Sequence, residues 1–162
     1  MELNGAGRPA GHGTVTAVIY LKNAAAAIDY YRLVFGAVEL KRVPGVNGTI
    51  AHAEIRIGDS VVVLVDQLAG SGTGRAATGA LSPRIELALY SGDADALYER
   101  AIDLGATVTL PISDVFWGDR YGKVMDPFGQ VWALGTRKVL LTVEEVVQRG
   151  WGGRIVKPAA AE

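Results

Sequence analysis

The chain states one pattern twice, which limits it to folds built from two like halves. From Thr14 to Asp66, and again from Pro83 to Thr136, it reads strand, helix, Gly-Ala turn, then strands. The helical run Ala24 to Phe35 ends at Gly36-Ala37 and leads into Val38-Glu39-Leu40. The run Asp93 to Leu104 ends at Gly105-Ala106, 69 residues on, and leads into Thr107-Val108-Thr109-Leu110. At that offset His52 falls on Tyr121 and Ile55 on Val124. With one extra residue Val61 falls on Val131 and Leu64 on Leu134. A period this long, holding a helix and several strands, describes paired modules rather than a solenoid of short units. A ligand is then expected between the modules.

With 162 residues, one domain of two half-modules fits better than two independent domains. A formal net charge of −1 supplies no basic field for a nucleic acid or an anionic membrane, so neither partner is expected. There is no cysteine, hence no disulfide frame and no thiolate nucleophile or ligand. No apolar run reaches the length of a signal core or a membrane span. The expectation is a soluble, cytoplasmic protein of bacterial type.

Thr14 to Leu21 is rich in β-branched residues and reads as a strand. Asn23 is suited to cap the helix that follows, in which Ile28, Tyr31 and Phe35 form one apolar stripe. Strands are expected near Val38 to Val43, Ile50 to Ile57 and Val61 to Val65, turned by Pro44-Gly45, Asn47-Gly48 and Gly58-Asp59. In the second copy they are expected near Arg84 to Tyr90, Val108 to Leu110, Val115 to Val124 and Gln130 to Leu134. Asp126-Pro127-Phe128-Gly129 makes the last hairpin. Thr142 and Glu145 read as a capping box for a short helix, Val143 to Arg149, which Gly150 ends. Residues 1–13 read as a flexible leader, 67–82 as a Gly-rich linker and 157–162 as a disordered tail. The linker lacks the Gly-Lys-Ser/Thr of a phosphate loop.

The twofold unit, with Tyr31-Arg-Leu-Val-Phe-Gly36 closing the first helix and Asp126-Pro-Phe-Gly129 before the last strand, resembles the vicinal oxygen chelate superfamily. That group holds glyoxalase I, extradiol dioxygenases, fosfomycin-modifying enzymes and bleomycin-binding resistance proteins. His52-Ala-Glu-Ile-Arg-Ile-Gly-Asp-Ser60 and Phe116-Trp-Gly-Asp-Arg-Tyr-Gly-Lys123 look more narrowly like its PhnB-like, glyoxalase-related branch. The resemblance spans residues 14–136, as modules 14–66 and 83–136. It implies an α+β fold of two βαβββ modules forming a cup-shaped mixed sheet, followed by the C-terminal helix and tail of residues 137–162. It also implies a homodimer.

Residues two apart on a strand share a face. Val15, Ala17, Ile19 and Leu21 suit the helix side, which leaves Thr16, Val18 and Tyr20 for the cup. Ala53, Ile55 and Ile57 leave His52, Glu54 and Arg56; Ile85, Leu87 and Leu89 leave Glu86, Ala88 and Tyr90. The resemblance further implies a divalent ion on His and Glu side chains of the first and fourth strands of each module. Alignment puts Thr16, Val63, Glu86 and Ala133 there, and of these only Glu86 is a plausible ligand. A replacement set of His52, Glu54 and Glu86 is the alternative, against the plainer reading of His52 as a hydrogen-bonding residue on a salt-bridged edge.

Phe116 to Tyr121 is the densest aromatic and charged cluster. Trp117 and Tyr121 could stack on a planar ligand while Arg120 pairs with its anion. Alternatively the aromatics pack a dimer seam and Asp119-Arg120 is a hairpin turn. Three functions of different class follow. One is a metal-free binding protein that sequesters a small, partly aromatic or cationic ligand with Thr16, Tyr20, His52, Arg56, Tyr90, Trp117, Arg120 and Tyr121, and needs no cofactor. Another is a glyoxalase-type lyase, isomerase or transferase, or a dioxygenase, with Glu86 or Glu54 as general base and a divalent metal on the rearranged set. A regulatory dimer with a vestigial cup is a third.

Overall fold

The computed structural model describes residues 8, 9, 11–67 and 85–150. The chain divides into two compact units, Met1–Arg84 and Ile85–Glu162. The expected Gly-rich linker, except Gln67, and the tail lie outside the described residues.

The first unit contains β1 (Ala17–Leu21), α1 (Ala24–Phe35), β2 (Val38–Pro44), β3 (Ile50–Ile57) and β4 (Ser60–Asp66). Its sheet runs β1-β4-β3-β2, with β1 parallel to β4 and the other pairs antiparallel. The second unit contains β5 (Leu87–Tyr90), α2 (Ala94–Asp103), β6 (Thr107–Asp114), β7 (Asp119–Met125) and β8 (Val131–Arg137), in the order β5-β8-β7-β6 with the same senses. α3 (Val143–Arg149) follows. The two halves repeat a βαβββ unit in α+β form, each with its own four-stranded mixed sheet.

Both helices begin and end where their local chemistry dictates. The side chain of Asn23 accepts from the Ala26 N–H at 3.1 Å, and that of Asp93 from the Ala96 N–H at 3.0 Å. Gly36, at φ 66°, ends α1 in the left-handed conformation that a Cβ disfavours, and its N–H reaches the Arg32 carbonyl. α1 buries Ala24, Ala27, Ile28, Tyr31 and Val34; α2 buries Ala94, Tyr98 and Ala101. These stripes meet Ile19, Leu21, Ala53, Ile55 and Leu64 in the first unit and Val124, Trp132 and Leu134 in the second, all buried. Each sheet therefore has one face against a helix and one face free of it.

The helix is latched to the sheet from the end of the fourth strand. Asp66 Oδ1 accepts from the Ala24 N–H at 2.7 Å, and Oδ2 accepts from the Ile50 N–H at 2.6 Å. In the second unit Thr136 Oγ1 accepts from the Ala94 N–H at 2.8 Å. The Ala24 and Ala94 N–H groups are first-turn donors that the helix itself cannot satisfy. The Asp126-Pro-Phe-Gly turn is built in the same way. Its Oδ1 accepts from the Phe128 and Gln130 N–H groups, each at 2.9 Å, and its Oδ2 accepts from Trp132 Nε1 at 3.0 Å. Trp132 thus lies in the core, as its position suggests.

The strand boundaries differ from expectation at one place that matters. Val115 to Val124 is not one strand: β6 runs on to Asp114, residues 115–118 turn, and β7 starts at Asp119. Gly118 sets that turn. It sits at φ 94°, its carbonyl accepts from the Lys138 and Val139 N–H groups, and a Cβ there would come within 2.4 Å of the Val139 carbonyl oxygen. The capping box of Thr142 and Glu145 forms as expected.

If the latches hold the helices, their loss is unequal. Asp66→Ala removes two hydrogen bonds to a charged acceptor and should cost about 2–4 kcal/mol; Thr136→Val removes one neutral bond and should cost about 1 kcal/mol. Urea unfolding of the two variants measures both, and equal losses would contradict the latch.

Candidate functional site

The helix-free faces carry most of the residues singled out in the sequence. In the first unit Val18 and Tyr20 lie beside Val63 and Val65 in the parallel pair, and Glu54 is opposite Val63. Lys41 pairs with Glu54, and Val43 with His52. His52 Nε2 is 2.8 Å from Glu54 Oε1, and the Lys41 ammonium is 3.4 Å from the same oxygen. His12 also lies on this face rather than free in a leader. Its Nε2 is 3.8 Å from Glu54 Oε1 and its side chain is only 10% exposed. Gly11 lies against Val61. The His52 hydrogen bond, and after it the Lys41 ammonium, hold the Glu54 carboxyl below its ordinary range, against an opposing push from burial. Arg56 and Tyr20 are exposed, and the Thr16 hydroxyl donates to the Gly13 carbonyl just before β1.

The second unit builds a different surface on the equivalent face. Tyr90, Gly135 and Tyr121 stand side by side across β5, β8 and β7, with Asp119 opposite Arg137 in the next rows. Gly135 leaves room for the Tyr90 ring, since a Cβ there would be 3.0 Å from Tyr90 Cε1. Asp119 is the hub. Its Oδ2 accepts from the Tyr90 hydroxyl and from Trp117 Nε1, each at 2.9 Å, and its Oδ1 meets Arg137 Nε. Its side chain has no exposure at all. Trp117 packs edge to face on Tyr121, with centroids 5.3 Å apart, and on Phe116 at 4.9 Å. Burial first, and then the Asp119 carboxylate, push the Tyr90 phenol above its ordinary range.

Arg120 does not join this cluster. Its neighbour Asp119 faces the aromatic side, so strand alternation turns Arg120 to the α2 side, where it grips both oxygens of Asp95 at 2.7–3.1 Å. Arg120 and Asp119 do not form a hairpin turn either, because both are in β7. Glu86 is on the aromatic side but is committed to the Lys123 ammonium at 2.6 Å. Asp119 and Arg137 were not among the expected site residues, although the burial of one and the charge of the other organise the whole cluster.

The sequence profile of the Glyoxalase/Bleomycin resistance protein/Dioxygenase superfamily matches residues 13–134. The chain belongs to this superfamily. An uncharacterised protein of Mycobacterium bovis is 40% identical over 131 residues, which cover 79% of this chain and 86% of the relative. Among solved structures, TioX from Micromonospora sp. ML1 is similar at 26% identity with a TM-score of 0.58, over 76% of this chain and 98% of its own. The PhnB protein of Bacillus cereus shares the fold at 15% identity and a TM-score of 0.60, over 76% and 99%. No helix among the described residues is long and apolar enough to cross a membrane.

The four positions at which the resemblance places metal ligands offer little donor chemistry. Val63 and Ala133 have no lone pair to offer, Thr16 is bonded to Gly13, and Glu86 is held by Lys123. The alternative set is no better prepared. Glu54 already takes His52 and Lys41 on one oxygen, and Glu86 sits in the other unit with its own cation. Among the described residues no group of three or more His, Cys, Asp or Glu could hold a metal ion.

The lowered Glu54 carboxyl has a pH consequence. Its contribution to stability is fully present above the unfolded carboxyl value of about 4.3 and is lost as pH falls through the lower folded value. Near neutral pH, Glu54→Gln should be less stable than the parent by about 1 kcal/mol at most. That gap should close on acidification, and denaturant melts at several pH values measure it; a gap that widens in acid would refute the assignment.

Proposed function

We propose that this superfamily member binds a small planar molecule on the helix-free face of its second unit and does so without a metal centre. The observation that carries the reading is the cluster of Tyr90, Trp117 and Tyr121. Their rings are fixed by bonds at their polar ends or by each other, and Tyr90 and Tyr121 flank the small residue Gly135. A fixed aromatic wall is poised to bind with little further loss of side-chain freedom. The donor-poor positions at Thr16, Val63 and Ala133, and the Lys123 grip on Glu86, support a binding role over metal-assisted catalysis.

The general-base reading of Glu86 or Glu54 meets a related obstacle. A base at neutral pH needs a raised carboxyl, and Glu54 is shifted the other way. Arg120 has no part in the proposed face and belongs to the packing of α2.

Metal analysis of chain purified without chelator checks the first half of this reading. We expect no stoichiometric Zn, Ni, Mn or Fe after dialysis, and a retained ion would overturn it. Titration with 1-naphthol, followed by intrinsic fluorescence, checks the second half. Trp117→Ala and Tyr121→Ala should each weaken binding by about tenfold, while Arg120→Ala should leave affinity alone and lower stability only slightly. Unchanged affinity in both aromatic variants would assign the cluster to packing.

A further inference from the structure

We infer that the ligand of the second unit is a planar anion, such as an arene carboxylate, with its ring against Trp117 and Tyr121 and its charge on Arg137; this rests on the binding role proposed above. The argument begins with where the polar groups of the cluster point. The Tyr90 hydroxyl, the Trp117 indole N–H and Arg137 Nε all converge on Asp119. That carboxylate is fully buried, so it offers no surface to a cationic ligand. What remains for a ligand is ring surface and cation.

The cation is Arg137. Its side chain is 48% exposed while its Nε is held by Asp119. A guanidinium fixed at one edge keeps a planar, charged fork that suits a carboxylate. Asp119 does not fully quench it, because the carboxylate's charge is shared with two neutral donors. The other acid of this face, Glu86, is closed by the Lys123 ammonium at 2.6 Å. No acid of the cluster is therefore free to receive a positive ligand, and one half-exposed base stands beside the aromatic rings. A cationic ligand, one of the expectations from sequence, is disfavoured by the same account.

The test uses the full chain and three probes of one shape and different charge: 1-naphthoate, 1-naphthamide and 1-naphthylmethylammonium. Binding is followed by the NMR signal of the Trp117 indole N–H, identified by its absence in Trp117→Phe. Naphthoate should bind about tenfold more tightly than the amide, as expected for one charge-assisted contact, and the ammonium should bind weakest. Arg137→Gln should bring naphthoate down to the level of the amide while leaving the amide unchanged. Because Arg137 also holds Asp119, Arg137→Lys serves as a second variant that should retain part of the preference. If the amide or the ammonium equals or exceeds naphthoate in the unaltered chain, the anionic class is wrong while the binding face stands. If none of the three moves the Trp117 signal, the binding face itself is refuted, and the inference falls with it.

Discussion

In both units the first free N–H of the helix is taken by a side chain at the end of the fourth strand, Asp66 in one and Thr136 in the other. This contact fixes which face of the sheet the helix covers. Strand alternation then decides everything else, because each inward and outward position follows from that choice. A helix seated on the opposite face would bury Tyr90, Tyr121 and Arg137 and expose Leu134 and Val124. Two different side chains do the same work at matching places, so the repeat conserves a geometric function even where the residue differs.

The two free faces have diverged in charge and shape from that common frame. Glu54 and Lys123 occupy matching positions, opposite Val63 and Ala133 respectively, and they carry opposite charges. Each is paired within its own unit, Glu54 with the Lys41 ammonium beside its hydrogen bond to His52, and Lys123 with Glu86. A metal centre needs several uncommitted donors converging on one point. Here the donors that remain near those positions are spent on ion pairs, which settle charge locally and hold side chains in place.

Much of this was readable in the residues. Asn23, Asp93, Gly36 and the Thr142–Glu145 pair act over three or four residues, so helix ends follow from local chemistry alone. The faces of β1, β3 and β5 also follow from simple alternation. The stretch from Val115 to Val124 did not, because Val115, Phe116, Trp117 and Tyr121 favour strand while the turn depends on Gly118 meeting the chain at Val139. That meeting is non-local and leaves no mark in a short window. Arg120 is one residue from both Asp119 and Tyr121 in β7 and is therefore on the opposite face from them. Asp119 beside a glycine reads as a turn residue, and Arg137 lies one position beyond the last residue of the visible repeat, so neither stood out.

The contrast between the free faces favours the second unit over the first for the proposed ligand. On the first, the chain itself already covers part of the surface, with His12 over Glu54 and Gly11 against Val61. Its sheet floor there is largely aliphatic, from Val18, Val61, Val63 and Val65, with Tyr20 beside Val65. On the second, Trp117 and Tyr121 pack edge to face, and the polar ends of Tyr90 and Trp117 are tied down at a single buried carboxylate. Tying the polar ends removes the competing option of turning them toward water, so the apolar ring surfaces stay outward. On the binding role proposed above, such a face would discriminate by shape and by the half-exposed Arg137. That combination would separate planar anions from other solutes more sharply than a set of loose polar side chains could.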